Sequence, residues 1–204
     1  MIIDRGLPSE ADAPSLLPDR RHQPGSFLMR HILAASLAAT MALAAPALAE
    51  LDPGDAAADF TVSGFQAGEA VSFHLAEALA TGPVVLFFFP AAFTSGCEAQ
   101  AAAFAEAIDQ FTAEGATVIG VTGGNTDRLA EFSTQHCASA FPVFAIEEGM
   151  ARDYDARMMM RPGWTNRTSY VIDQNSTIAF SWSEMSPYEH VDQTLAAVRA
   201  LNVE

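Results

Sequence analysis

The sequence predicts an α/β domain, with a central mixed sheet flanked by helices and entered through an N-terminal hairpin. Three observations carry that prediction. Stretches of strand length alternate with stretches of helical period. The run 84–89 is apolar at every position, as expected of a strand covered on both faces. The last three elements break the alternation, a hairpin followed by a helix, which brings antiparallel neighbours into an otherwise parallel sheet.

Taken in order, 58–63 and 71–73 read as the hairpin, turning through the glycine-bounded segment 64–68. The strand 84–89 stops at Pro90. From Cys97 to Glu114 the period is helical, with Cys97, Ala101, Phe104, Ile108 and Phe111 on one inward stripe and Gly115 as the stop. A strand over Thr117–Thr122 follows. Asn125 or Thr126 caps a second helix running to about Cys137, with Leu129, Phe132 and His136 facing in. A third strand over 141–146 begins beside Pro142, and 148–154 forms a short helical piece. The loop 156–165 is rich in Met, Arg, Pro and Gly. Thr168–Ile172 and 177–182 pair across the turn 173–176, and a last helix over 188–201 closes the domain.

Composition bounds what this domain does. Ahead of it, Met29-Arg30-His31, the apolar run 32–45 and Ala47-Leu48-Ala49 supply the basic start, hydrophobic middle and small-x-small cleavage site of a secretory signal. The run is short for a membrane span and is ended by Pro46. The expectation is therefore a signal peptide at 29–49, one folded domain at 50–204, and a periplasmic or secreted product with no membrane attachment after cleavage. Residues 1–28 read as a non-native extension outside the fold. Residues 50–204 hold 6 arginines against 21 acids, a formal charge of −15, and no lysine. Nucleic acid and anionic membrane surfaces would repel such a chain, so neither is expected as a partner. No Cys-x-x-Cys or paired Cys/His spacing suggests a metal, and no cofactor is expected.

Chemistry concentrates around Pro90-x-x-x-Thr94-x-x-Cys97. A cysteine in the first turn of a helix meets unpaired N–H groups and the positive end of the helix dipole, both of which favour the thiolate. The same position on an inward stripe also suits an inert core cysteine. Thr94 is placed either to aim its hydroxyl at the sulfur and at an incoming oxygen, or to act as a plain N-cap. Pro90 ends the strand and stiffens the loop. Arg167, ahead of the strand Thr168–Ile172, supplies an always-charged fork of donors, useful opposite a thiolate and equally ordinary in a surface ion pair.

Together these patterns resemble the peroxiredoxins, thiol peroxidases on a thioredoxin-like fold. Pro90, Thr94 and Cys97 match that family's peroxidatic motif, and Arg167, Tyr170, Ile172 and Asp173 match its Arg-x-x-aromatic-x-Ile-Asp strand. The resemblance runs from about Leu51 to Leu201 and looks closest to the bacterioferritin comigratory subfamily and its exported relatives. It implies that Cys97 is the peroxidatic nucleophile for hydrogen peroxide or small organic hydroperoxides. Thr94 and Arg167 would orient the peroxide, and Pro90 would shield the sulfur.

Many members carry a second cysteine five residues after the first; here that position is Ala102. The other cysteine is Cys137, and some members place a resolving cysteine on that helix. A disulfide with Cys97, reduced by an external thioredoxin- or glutaredoxin-like dithiol, is the implied cycle. A one-cysteine enzyme with an inert Cys137 is the other reading. A non-enzymatic domain with a structural Cys97–Cys137 bridge, a disulfide oxidoreductase and a peroxide sensor are rivals, the second weakened by the single cysteine at the helix start. His136 suits tuning of Cys137 or packing, and Met158, Met159, Met160 and Trp164 an apolar entrance or an interface. Monomer and homodimer are both open.

Overall fold

The computed structural model describes residues 50–203. The expected extension at 1–28 and signal peptide at 29–49 lie outside the described residues. Seven strands form one sheet in the order β2-β1-β5-β4-β3-β6-β7. Its centre is β3 (Val84–Phe88), parallel to β4 (Thr117–Thr122) and antiparallel to β6 (Thr168–Ile172). Beyond β4 lies β5 (Val143–Ala145), parallel to it, then the hairpin of β1 (Thr61–Gln66) and β2 (Glu69–His74). The far edge is β7 (Ile178–Ser183), antiparallel to β6. Both parallel and antiparallel pairs are present, so the sheet is mixed, as the sequence predicts.

Every residue of β3 is buried, because the pleat sends alternate side chains into two separate layers. Val85, Phe87 and Phe89 enter the layer covered by α2 (Ser95–Ala113), α3 (Leu129–Gln135) and α5 (His190–Leu201). Val84, Leu86 and Phe88 enter the layer that holds Leu75 and Leu79 of α1 (Leu75–Leu79) and Tyr154, at the end of α4 (Glu148–Asp153). The stripe predicted for α2 is observed: Cys97, Ala101, Phe104 and Phe111 are buried, with Phe104 stacked on Phe87 at 4.3 Å between ring centroids. Ile108 is only half-buried.

Several boundaries differ from the sequence reading, for local reasons. Gly64 belongs to β1, not to the turn. A Cβ there would lie 2.1 Å from the Val143 carbonyl oxygen, so the crossing of β1 by β5 requires a glycine. The turn is instead Ala67-Gly68, both at positive φ, the two-residue geometry that matches strand twist. The second helix begins as a 3₁₀ turn, Thr126–Arg128, and becomes α-helical only from Leu129. Asn125 occupies the N-cap position, as one of the two expected residues, but its side chain makes no capping bond. The residue sits at φ 53° and its side-chain amide donates to the Ala92 carbonyl at 3.0 Å. The helix ends at Gln135, which leaves Cys137 in the bend that follows. The five-residue α1, too short for a periodic signal, was not expected.

Candidate active site

The loop between β3 and α2 is wired through its own backbone. The Phe89 carbonyl accepts from Thr165 Oγ1 at 2.7 Å, the Pro90 carbonyl from Thr122 Oγ1 at 3.3 Å, and the Ala92 carbonyl from Asn125. The Ala92 amide donates to Gly124 at 3.1 Å. Pro90, Ala91 and Ala92 are consequently buried, and the rigid loop fixes where the next helix starts. Phe93 is held at φ 57°, a left-handed conformation that costs a bulky residue on the order of 1–3 kcal/mol. Its ring offsets that strain by packing edge-on against Phe132 and His136, with the Arg128 guanidinium 4.3 Å above it.

Thr94 is the N-cap of α2 by backbone geometry, and its carbonyl accepts from the amides of Cys97 and Glu98, both at 2.9 Å. Its hydroxyl neither caps the helix nor donates to the sulfur. It donates to the Ala91 carbonyl at 3.0 Å, which leaves the oxygen lone pairs as acceptors. This corrects the expectation that the hydroxyl donates to the thiolate.

Cys97, the third residue of α2, is 1% exposed, and its Sγ accepts from Arg167 Nη2 at 3.6 Å. Arg167 is itself only 4% exposed. Its Nε donates to the Met185 carbonyl at 3.0 Å, and Nη1 donates to the Gly96 carbonyl at 3.3 Å and to Gln100 Oε1. Close approach is possible because residue 96 is glycine; a Cβ there would lie 3.0 Å from Nη2. All these partners are neutral oxygens apart from the sulfur, and among the described residues no carboxylate forms an ion pair with Arg167. A buried guanidinium without a counter-charge is expensive. The one ionisable group within hydrogen-bond contact of it among the described residues is the Cys97 thiol.

The model of the AhpC/TSA family matches residues 53–181. The chain belongs to the AhpC/TSA family of peroxiredoxins. It is 29% identical over 154 residues to chloroplastic peroxiredoxin Q of Arabidopsis thaliana, covering 74% of this chain and 69% of that one. A peroxiredoxin of Mycobacterium tuberculosis is 31% identical over 155 residues, 72% of this chain and 96% of the relative. Among solved structures, peroxidoxin BcpB of Mycobacterium tuberculosis superposes with a TM-score of 0.65 at 28% identity, covering 74% of this chain and 98% of the other. The peroxiredoxin is thus a thiol peroxidase of the bacterioferritin comigratory type, on the thioredoxin-like fold.

The peroxiredoxin's second cysteine is not bonded to the first; both thiols are free and both belong to the α2-side layer. Cys137 is wholly buried, and burial pushes its thiol well above the ordinary range, so it stays protonated. Ala138 and Ser139, immediately after it, both take positive φ. His136 does not face its neighbour in sequence: its ring packs on Phe93 and Phe132, and Nε2 lies 3.5 Å from Glu98. Met158, Met159 and Trp164 line a cleft of about 270 Å³ with Arg157, Glu147 and Glu148. None of Pro90, Thr94, Cys97 or Arg167 lines that cleft, and Met160 is 91% exposed.

Gln100 is the site residue that sequence reasoning missed. It stands one turn after Cys97, is fully buried and bonds Arg167, while its own amide nitrogen has no partner. The signal was present as a polar residue on the buried side of an otherwise apolar helix. The role of the Met185 carbonyl had no signal, because any residue supplies one.

Proposed function

We propose that Cys97 is the peroxidatic cysteine, reducing hydrogen peroxide and small organic hydroperoxides. The observation that supports this most is the buried Arg167 fork 3.6 Å from Sγ, with no carboxylate among the described residues paired to it. The thiolate attacks one peroxide oxygen, the O–O bond breaks, and its electrons leave on the distal oxygen as hydroxide or alkoxide, which takes a proton to become water or an alcohol. The guanidinium stabilises charge as it moves from sulfur to the departing oxygen. Thr94 Oγ1, its proton committed to Ala91, accepts from the O–H of the peroxide. Pro90, buried in the loop ahead of α2, shields the sulfur from water, and Gln100 holds Arg167 in its aim.

The sulfenic acid on Cys97 then condenses with the Cys137 thiol, forming the S–S bond and releasing water, and an external thioredoxin-type dithiol reduces the disulfide. Because Cys137 lies beyond α3 in a segment with two consecutive left-handed residues, local opening there brings the sulfurs together. We further propose that the enzyme acts outside the cytoplasm, on the strength of the signal-like segment 29–49.

Intact mass and free-thiol count before and after one equivalent of peroxide test the cycle. Loss of two hydrogens and both thiols, abolished by Cys97→Ser, is expected; Cys137→Ser should instead retain an added oxygen on Cys97. Oxygen gain with Cys137 free in the wild type would overturn the resolving role, and an unreactive Cys97 would overturn the whole reading.

A further inference from the structure

We infer that His190 is a positioning residue that aims Arg167 at Cys97, acting through the backbone strap Glu184-Met185; the inference rests on Cys97 being the reacting thiol. The strap grips Arg167 at both ends. The Glu184 amide donates to the Arg167 carbonyl at 3.2 Å, and the Met185 carbonyl accepts from the guanidinium Nε at 3.0 Å. Yet residues 184–186 are exposed, so no side-chain burial of their own holds them in place. Beneath them His190, the first residue of α5, is wholly buried, and its Nε2 lies 2.9 Å from the Glu184 carbonyl oxygen.

The ring's protonation follows from its partners. A carbonyl only accepts, so Nε2 carries the hydrogen. Nδ1 lies 2.8 Å from Ser169 Oγ, and in the neutral ring it accepts from that hydroxyl. Burial disfavours the imidazolium, and the nearby Arg167 charge opposes it further, against the Glu184 and Ser186 contacts that favour it. The result is a fixed tautomer with one donor aimed at the strap, rooted in a helix whose Val191, Leu195 and Val198 are core residues. Arg167 therefore has one fixed support from α2, through Gln100 and Gly96, and a second from α5, through His190 and the strap.

Two substitutions separate this role from packing. In His190→Gln the side-chain amide nitrogen falls where Nε2 was and still donates to Glu184; in His190→Asn it falls at Nδ1, facing Ser169 alone. Peroxide kcat/KM on the reduced protein should stay within about threefold of wild type for His190→Gln and fall about tenfold or more for His190→Asn. The Arg167 Nε–H NMR resonance should stay protected from exchange only in the first. Equal rates and equal exchange in the two variants would overturn the inference. So would ¹⁵N shifts placing the wild-type His190 proton on Nδ1, a measurement that does not depend on any variant folding. An unreactive Cys97 in the wild type would remove the parent reading with it, whereas a reactive wild type with indistinguishable variants would remove only the role of His190.

Discussion

Replacing Arg167 by Met removes the charge while keeping much of the side-chain volume, and the structure sets the size of the effect. At the observed 3.6 Å, a thiolate and a guanidinium attract by roughly 4–5 kcal/mol at an effective dielectric constant of about 20. That is a ceiling, since only interaction that strengthens in the transition state accelerates the reaction. Loss of one preorganised donor to developing charge typically costs about 10²–10³ in rate, which lies within the ceiling at about 1.4 kcal/mol per tenfold. Arg167→Met should therefore slow Cys97 oxidation about 10²–10³-fold. Arg167→Lys keeps the charge but loses the fork that spans Met185, Gly96, Gln100 and the sulfur, and should recover about tenfold of that loss. The assay is stopped-flow reaction of the reduced protein with excess hydrogen peroxide, read as thiol loss, with thermal melts confirming the fold. A folded Arg167→Met within about fivefold of wild type would refute the assignment of the fork to the reacting sulfur.

Gly96→Ala places a methyl group 3.0 Å from Arg167 Nη2 in a helical position that alanine favours, so the peroxide rate should fall about 3–10-fold while thermal stability is kept or rises slightly. An unchanged rate would mean that the guanidinium does not need its present distance. Acid sensitivity provides a second check. Burial lowers the folded-state pKa of His190 from 6.5, so below that value the unfolded chain takes a proton that the folded one refuses, and stability falls as pH drops. His74, raised by its hydrogen bonds to Asp59 and Glu77, acts in the opposite sense, gaining protons on folding. Melting temperature measured from about pH 7.5 to 5 should thus decline more steeply in wild type than in His190→Gln, which keeps His74; parallel curves would contradict the burial argument.

What the sequence revealed and what it hid divide along a physical line. The central strand, the α2 stripe and the hairpin Thr168–Ile172 with β7 were legible because burial imposes a periodicity on side chains, and side chains are what a sequence records. Cys97 and Arg167 were legible as motif residues, and the structure brings them into contact across 70 positions. Hidden were the features built from backbone. The carbonyls of Phe89, Pro90 and Ala92 that anchor the loop, and that of Met185 behind Arg167, belong to no residue type. Misplacement of the first turn has the opposite origin: Gly64 resembles turn chemistry but answers to a close strand crossing. Asn125 was legible as the N-cap position, but not that its side chain makes no capping bond and instead donates to the Ala92 carbonyl of the active-site loop.

The division of the core into two layers has a consequence for engineering. The layer containing Cys97 and Cys137 also contains Phe89, Phe104 and Phe132, so the atoms that hold that side of the domain together are the ones that set the sulfur's surroundings. Repacking there changes robustness and turnover at once, and a gain in one is hard to separate from a loss in the other. The opposite layer, with Leu86, Phe88, Ile119 and Ile172, touches neither thiol. It is where a sturdier version of this enzyme should be sought, since volume can be redistributed there while the cysteine-bearing side is left alone.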